Sequence, residues 1–222
     1  MHADRMLENA ERSPMSRVTL NEESQSLWQS QNLEHLRYEY DLKPDDIVID
    51  LGAYRGEWAN EIRARYGCSV IAVEPTDAID GYDGEIIKKA AWIEDGKLPV
   101  GGTYYYTSAY EPVTHEFESF DINSLLTRFD DIALVKINIE GAEYIVLDHI
   151  INHGYHKRIK NLQVQFHQLN PEPWQAWYSG IESRLRVTHE LQWRYSFCWE
   201  SWRRKDVMPE QFNEDWIETN LT

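Results

Sequence analysis

The stretch DIVIDLGAYRGEWA (residues 46–59) decides the fold, because it joins an apolar run to a helical pattern through a glycine turn. Residues 45–52 form a short apolar run, which predicts a buried strand. Residues 56–67 have helical spacing and end at a glycine, which predicts a helix that stops there. A strand that leads directly into a helix is the first half of the unit that builds a parallel sheet.

The same alternation of strand and helix recurs along the chain. Further strands are predicted over residues 68–75, 85–93, 132–140 and 161–169, and further helices over residues 121–129, 142–154 and 174–189. Residues 100–110 (VGGTYYYTSAY) predict a hairpin or flap, and the Trp- and Tyr-rich residues up to 205 predict a pair of strands. We therefore expect an α/β fold with a doubly wound, Rossmann-like and mostly parallel sheet.

The chain has 222 residues, which suits one α/β domain with a hydrophobic core. Apolar residues follow a loose helical period over residues 24–40, and Pro44 prevents the helix from continuing. We expect residues 1–44 to form an N-terminal helical arm and residues 45–222 to form the domain.

Composition and charge suggest where the protein works and what it binds. The net charge of −16 disfavours nucleic-acid backbones and anionic membranes, so we expect no nucleic-acid partner and no membrane. Whether the chain forms a homodimer stays open. Two cysteines do not make a disulfide framework, and the chain starts with no apolar leader, which predicts a cytoplasmic protein.

The glycine turn after the first predicted strand is the first candidate ligand site. Ligands of doubly wound sheets bind beyond the carboxyl ends of the strands. Asp50 closes the strand, and Gly52 and Gly56 flank a turn whose middle is Ala53-Tyr54-Arg55. This departs from the dinucleotide pattern G-x-G-x-x-G, and Asp50 would repel a pyrophosphate but favour a cationic amino group.

The second predicted strand ends in Glu74, followed by Pro75. An acid at this place commonly binds the ribose hydroxyls of a nucleoside. Ala91 and Trp92 at the end of the third predicted strand would flank the adenine, although Trp92 could equally fill the core. An adenosyl ligand with an amino-acid tail and no phosphates fits these features, and S-adenosylmethionine is such a ligand.

Four segments together resemble the FkbM-type S-adenosylmethionine-dependent methyltransferases. They are the opening stretch, the strand ending in Glu74, SFDINSLL (residues 119–126) and VKINIEGAEYIVL (residues 135–147), and the resemblance covers residues 45–169. It implies a class I methyltransferase fold, a seven-stranded sheet with an antiparallel last strand, and methylation of a hydroxyl on a sugar, glycan or secondary metabolite. The family motif usually has Asp where this chain has Asn138.

The catalytic candidates lie at the ends of the fourth and fifth predicted strands. His167 titrates near neutrality and is the preferred general base, because Asn138 cannot take a proton. Asn138 would hold the methionine end of the cofactor or orient the acceptor oxygen. Glu140 could face the site, Glu143 is expected to be structural, and Lys136 needs a carboxylate partner such as Asp50 or Glu140.

Several features keep more than one interpretation. The tyrosines of the 104–107 segment could pack a hairpin or shield a sulfonium, and the tryptophans of the tail could form core, a dimer contact or a carbohydrate face: Trp174, Trp177, Trp193, Trp199 and Trp202. No histidine spacing predicts a metal site. The alternative functions are a non-catalytic adenosyl-binding protein and an NAD-dependent oxidoreductase.

Overall fold

The computed structural model describes residues 17–103, 106–108, 113–170 and 174–207. The strands in this part of the chain are β1 (Arg17–Thr19), β2 (Ile47–Leu51), β3 (Ser69–Val73), β4 (Glu85–Ile87), β5 (Ala90–Trp92), β6 (Gly96–Thr103), β7 (Tyr106–Ser108), β8 (Val113–Asp121), β9 (Ile132–Ile137), β10 (Ile159–Val164), β11 (Gln168–Asn170), β12 (His189–Tyr195) and β13 (Trp199–Arg204). The α-helices are α1 (Glu22–Ser30), α2 (Glu57–Tyr66), α3 (Ile122–Leu126), α4 (Glu143–Asn152) and α5 (Trp174–Thr188). Short 3₁₀ helices cover Leu33–Tyr38, Asp77–Ile79, Tyr155–Arg158 and Lys205–Val207.

A seven-stranded sheet forms the centre of the fold, in the order β12-β13-β10-β9-β2-β3-β4. Neighbouring strands are parallel except around β13, which runs antiparallel to both β10 and β12. The predicted mostly parallel sheet with an antiparallel last strand is therefore confirmed. The chain leaves β2 toward β3 on one side and reaches β9 on the other, so the topological switch point lies between β2 and β9.

The two faces of this sheet are covered separately. On one face, a cluster that includes Ile145, Ile150 and Leu185 brings α4 and α5 against the sheet. On the other face, Trp58 and Ile62 of α2 pack against a second cluster. Helices on both faces bury most of the central strands β2, β3 and β9, which explains why these strands are apolar without alternation.

The prediction of one continuous third strand is wrong. Residues 85–93 divide into β4, which belongs to the central sheet, and β5, which pairs with β8 in a separate four-stranded sheet of order β5-β8-β6-β7. The exposed side chains of Lys88 and Lys89 separate the two strands. The predicted hairpin is confirmed, since β6 and β7 pair antiparallel with Gly101 opposite Ser108. The tyrosine side chains of that hairpin lie outside the described residues.

The predicted fifth strand is also too long. β10 ends at Val164, and the chain then leaves the central sheet before it forms β11, which pairs with β1 in a two-stranded sheet. His167 therefore lies between two strands rather than at the end of one. The sequence did not predict β1.

The N-terminal segment packs against the aromatic end of the sheet. Trp28 of α1 is buried with Cys198 and Trp199, and its ring lies 5.2 Å from that of Tyr195 in an edge-on arrangement. Trp202 is completely buried. These tryptophans therefore serve as packing, and the division of the chain at residue 44 stays a prediction. Among the helices of the described residues, none has the length and apolar character that crossing a membrane requires.

Candidate functional site

The loops after β2, β3, β9 and β10 meet at the carboxyl edge of the central sheet. Backbone hydrogen bonds connect them: Gly52 N–H donates to Val73 O (2.9 Å), Asn138 N–H to Leu51 O (3.0 Å), and Gln165 N–H to Ile137 O (2.9 Å). These bonds extend the sheet past the strand ends and fix where each loop starts. Side chains that follow the four strands consequently converge beside the switch point.

Asp50 and Lys136 form a buried ion pair below these loops. Asp50 Oδ1 lies 2.8 Å from Lys136 Nζ, and neither side chain is more than 4% exposed. Lys136 Nζ also donates to Gly52 O at 2.8 Å, so the lysine fixes the first residue of the glycine turn. Asp50 is thus the carboxylate partner for Lys136. The other carboxylate oxygen, Asp50 Oδ2, is buried and has no hydrogen-bond donor within the described residues.

The two glycines of the turn are required by packing within the protein. Gly52 has φ +76°, and a Cβ there would lie 1.8 Å from Asn138 O. Gly56 has φ +74°, and a Cβ there would lie 2.8 Å from the ring of Tyr82. Their closest neighbours are therefore protein atoms, which is a more direct reason for glycine than approach to a ligand.

The residues between the glycines differ in their surroundings. Ala53 is buried in the cluster around α2, whereas Arg55 is exposed, with its guanidinium 5.1 Å from the centre of the Tyr54 ring. Tyr54 has φ +51°, a conformation that non-glycine residues rarely adopt and that tends to occur at functional sites.

Glu74 is held by the loops around it. Its Oε2 accepts the Tyr54 N–H at 2.9 Å, and its Oε1 accepts the Thr76 N–H at 3.0 Å and the Thr76 hydroxyl at 2.7 Å. Pro75 between them has no N–H to offer. A carboxylate has about four acceptor positions, so Glu74 keeps room for one further donor.

Ala91 and Trp92 do not end a strand of the central sheet. Both belong to β5, outside the central sheet, and both are buried in the larger hydrophobic cluster. The third strand of the central sheet ends at Ile87, so the positions next to the ligand side after that strand are those of Lys88 and Lys89. Contact of Ala91 and Trp92 with an adenine ring stays a prediction.

His167 is buried between two carboxylates. Its Nδ1 lies 3.0 Å from Glu143 Oε1, and its Nε2 lies 3.6 Å from Glu140 Oε2. The Tyr144 hydroxyl donates to the His167 carbonyl at 2.5 Å. The structure therefore brings together Glu140 and His167, which the sequence placed at the ends of different strands.

Glu143 has the structural role that the sequence predicted and a second role, at His167, that the sequence did not predict. It is completely buried, and its Oε1 and Oε2 accept the N–H groups of Ile139 (2.9 Å) and Gly141 (3.0 Å). It therefore fixes the loop after β9, as a structural residue would, and it also orients the His167 ring. The second acid of the E-G-A-E motif marked the position, but nothing in the sequence joined it to a histidine 24 residues later.

The two carboxylates change the protonation of His167. Burial alone would lower the pKa of His167, but the charge of Glu143, its hydrogen bond to Nδ1 and the charge of Glu140 outweigh burial, so that pKa is raised above 6.5. Glu140 itself has φ +54°, so the loop that carries it is, like Tyr54, in an unusual conformation. The histidine is thus poised as a proton acceptor of greater than usual basicity.

Asn138 is a candidate both for binding the cofactor and for orienting the acceptor oxygen. Its backbone is fixed by the bond to Leu51 and by close contact with Gly52. Its side-chain oxygen Oδ1 is buried and has no donor in the described part of the chain. Asp50 lies on β2 and Asn138 directly follows the neighbouring strand β9, so two acceptor oxygens without a donor among the described residues lie near the switch point. Within the described residues, no three His, Cys, Asp or Glu side chains are grouped as a metal site would require.

Comparisons with known proteins report similarity in fold. No protein-family model matches the chain, and no curated protein matches it, so the FkbM-type resemblance stays a prediction. Similar solved structures include a ribosomal protein L11 methylase from Lactobacillus delbrueckii subsp. bulgaricus (18% identity, 80% of this chain and 79% of that chain, TM-score 0.44). The 23S rRNA methyltransferase ErmE is similar at 11% identity over 88% of this chain and 72% of that chain (TM-score 0.43).

A third similar structure is human N-acetylserotonin methyltransferase in complex with S-adenosylmethionine (12% identity, 82% of this chain and 54% of that chain, TM-score 0.38). The order and directions of the seven strands are those of the class I methyltransferase fold. The expectation of a small-molecule or glycan partner to the exclusion of nucleic acid is wrong, because the structures of this fold include an rRNA methyltransferase and a ribosomal protein methylase. A net charge summed over the whole chain does not describe the surface at one site.

Proposed function

We propose that this chain is an S-adenosylmethionine-dependent methyltransferase that methylates a hydroxyl oxygen. The observation that carries the proposal is Asp50, whose Oδ2 is buried beside the glycine turn at the switch point and has no hydrogen-bond donor among the described residues. A buried carboxylate oxygen left without a partner is costly, and a ligand that brings a cationic donor removes that cost. The α-ammonium group of S-adenosylmethionine is such a donor.

Other residues of the edge fit the rest of the cofactor. Asn138 Oδ1 offers a second unsatisfied acceptor for the methionine end. Glu74 keeps one acceptor position for a ribose hydroxyl, while Tyr54 and Thr76 hold its carboxylate in place. The glycine turn itself does not suit a phosphate, because the carboxylate of Asp50 lies two residues before Gly52. These features favour the adenosyl cofactor over NAD.

S-adenosylmethionine supplies, when bound, a methyl carbon that is electrophilic because the sulfur next to it is cationic. The protein must then align a hydroxyl oxygen with that carbon and accept the hydroxyl proton. We assign the proton to His167 Nε2, which lies 3.6 Å from Glu140 Oε2, because the contact of Nδ1 with the Glu143 carboxylate makes Nδ1 the donor. Glu143 holds the ring and balances the positive charge that the ring acquires, as the carboxylate of a hydrolase triad does.

The acceptor that we propose is a hydroxyl, as on a sugar, glycan or secondary metabolite. A hydroxyl is a poor nucleophile until its proton is removed, whereas a neutral amine attacks first and loses its proton afterwards. A site that devotes a buried histidine and two carboxylates to proton transfer suits the hydroxyl better. A general base of this kind contributes about 10²–10⁴-fold to the rate.

Calorimetry with three ligands tests the cofactor assignment. We expect S-adenosylmethionine and its demethylated product to bind and NAD not to bind. Binding of NAD alone would instead support the oxidoreductase. Binding of the adenosyl ligands without methyl transfer to any of a panel of hydroxylated acceptors would favour the non-catalytic protein, and transfer to nitrogen would contradict the O-methyl assignment.

A further inference from the structure

The N-terminal strand β1 lies against the segment that carries His167. It pairs antiparallel with β11, with Thr19 opposite Gln168 and Val18 opposite Leu169. In the described part of the chain, β1 and β11 form a sheet of their own, so neither has another strand partner there. The backbone directly after His167 therefore depends on an element almost 150 residues earlier in the sequence for its strand hydrogen bonds.

β1 is anchored to the body of the fold two residues after it ends. The Asn21 N–H donates to Phe197 O at 2.9 Å, and Asn21 Oδ1 caps α1 by accepting the Ser24 N–H at 2.8 Å. The Phe197 ring packs edge-on against Trp174, 4.6 Å between centroids, at the start of α5. The contact between Asn21 and Phe197 is thus linked to β11 through β1, and to the start of α5 through Trp174.

The contacts of His167 that matter for chemistry come from other elements. Glu143 of α4 holds its imidazole, and Tyr144 of α4 holds its carbonyl. Strand pairing of residues 168–170 limits the movement of the backbone next to His167, and so of the imidazole relative to Glu143. Misplacement of a reacting group by about 1 Å can cost about 10²-fold in rate.

We propose that β1 is a positioning element, which fixes residues 168–170 and thereby sets the His167 imidazole against Glu143. The catalytic meaning of this inference rests on the proposed function. The position of the imidazole does not, so it can be measured without any methyl acceptor.

Two proline substitutions in the full chain test the inference. Adjacent residues of an antiparallel pair alternate in directing their N–H toward the partner strand. Of Val18→Pro and Thr19→Pro, one therefore removes a hydrogen bond between β1 and β11, and the other serves as its matched control. Val18→Ala keeps every N–H and controls for the loss of the side chain.

The measurements are amide hydrogen exchange of residues 168–170 and the NMR titration of the His167 ring. In the variant that loses the hydrogen bond, we expect exchange to speed up by roughly 10-fold or more and the titration midpoint of His167 to fall toward about 6.5, the ordinary histidine value. We expect turnover to fall with it, while the affinity for S-adenosylmethionine stays unchanged.

An unchanged His167 titration in both proline variants would overturn the inference, and so would unprotected amides at residues 168–170 in the wild-type protein. Failure of the proposed function gives a different pattern. If no acceptor is methylated but the His167 midpoint still responds to β1, the positioning role stands and the assigned reaction does not.

Discussion

Glu143 connects the loop after β9 to His167: its Oε1 lies 2.9 Å from Ile139 N and 3.0 Å from His167 Nδ1. One completely buried carboxylate thus sets the backbone beside Asn138 and the orientation of the His167 ring. The loop follows β9 and His167 follows β10, so the arrangement depends on the long-range pairing of these two strands.

The pH dependence of turnover follows from the raised pKa of His167. A base must be neutral to accept a proton, so we expect kcat to rise with pH and to level off above the His167 pKa, which lies above 6.5. Glu143→Gln removes the charge that raises this pKa, and the midpoint should move to lower pH. The measurement is the pH profile of kcat at saturating cofactor, and an unmoved midpoint would contradict the assignment.

His167→Ala separates catalysis from binding. We expect turnover to fall by about 10²-fold or more, since a general base is lost, and the rising limb of the pH profile to disappear. Cofactor affinity, measured by calorimetry, should stay close to that of the wild type because Asp50 and Glu74 are untouched. Wild-type turnover in this variant would exclude His167 as the base.

Glu74→Ala tests the ribose assignment. Loss of a hydrogen bond to a charged group costs about 1.5–3 kcal/mol, which corresponds to roughly 10- to 100-fold weaker binding of S-adenosylmethionine. Thr76→Val is the matched control, because it removes one of the donors that hold Glu74 but keeps the carboxylate. Equal affinities of the two variants would place the ribose elsewhere, and thermal melting checks that both fold.

The buried ion pair of Asp50 and Lys136 predicts a non-additive effect on stability. Lys136→Met leaves the Asp50 charge buried and unpaired, and removal of one partner of such a pair costs about 3–5 kcal/mol in the free energy of unfolding. The double variant Lys136→Met with Asp50→Asn should recover most of this loss, because no buried charge remains. Urea denaturation measures both, and additive losses would show that the two residues are not coupled.

The sequence predicted the parts of the fold whose signals are local. Apolar runs and glycine stops defined β2, β3 and α2, and an apolar run likewise predicted β9. The division of residues 85–93 and the break between β10 and β11 were missed, because a local pattern does not tell which sheet a strand joins. The pairing of β1 with β11 and of Glu143 with His167 required tertiary structure for the same reason.

The burial of His189 predicts a loss of stability in acid. It is buried, its Nε2 lies 3.0 Å from Ile159 O and its Nδ1 2.9 Å from the Thr188 hydroxyl, which suits a neutral ring that donates at one nitrogen and accepts at the other. Burial lowers the pKa of His189 to about 4. Because the unfolded chain binds the proton more readily, stability is full above about pH 6.5 and is lost as the pH falls toward 4.

The size of this effect is roughly 3 kcal/mol at pH 4, from the difference between the folded and unfolded pKa values of His189. His189→Gln keeps a side chain that can donate and accept but cannot take up a proton. We expect it to flatten the acid limb of a plot of unfolding free energy against pH, relative to the limb of the wild-type protein. Both limbs should be measured by urea denaturation between pH 4 and 8, and an acid limb in His189→Gln as steep as that of the wild type would show that other groups cause it.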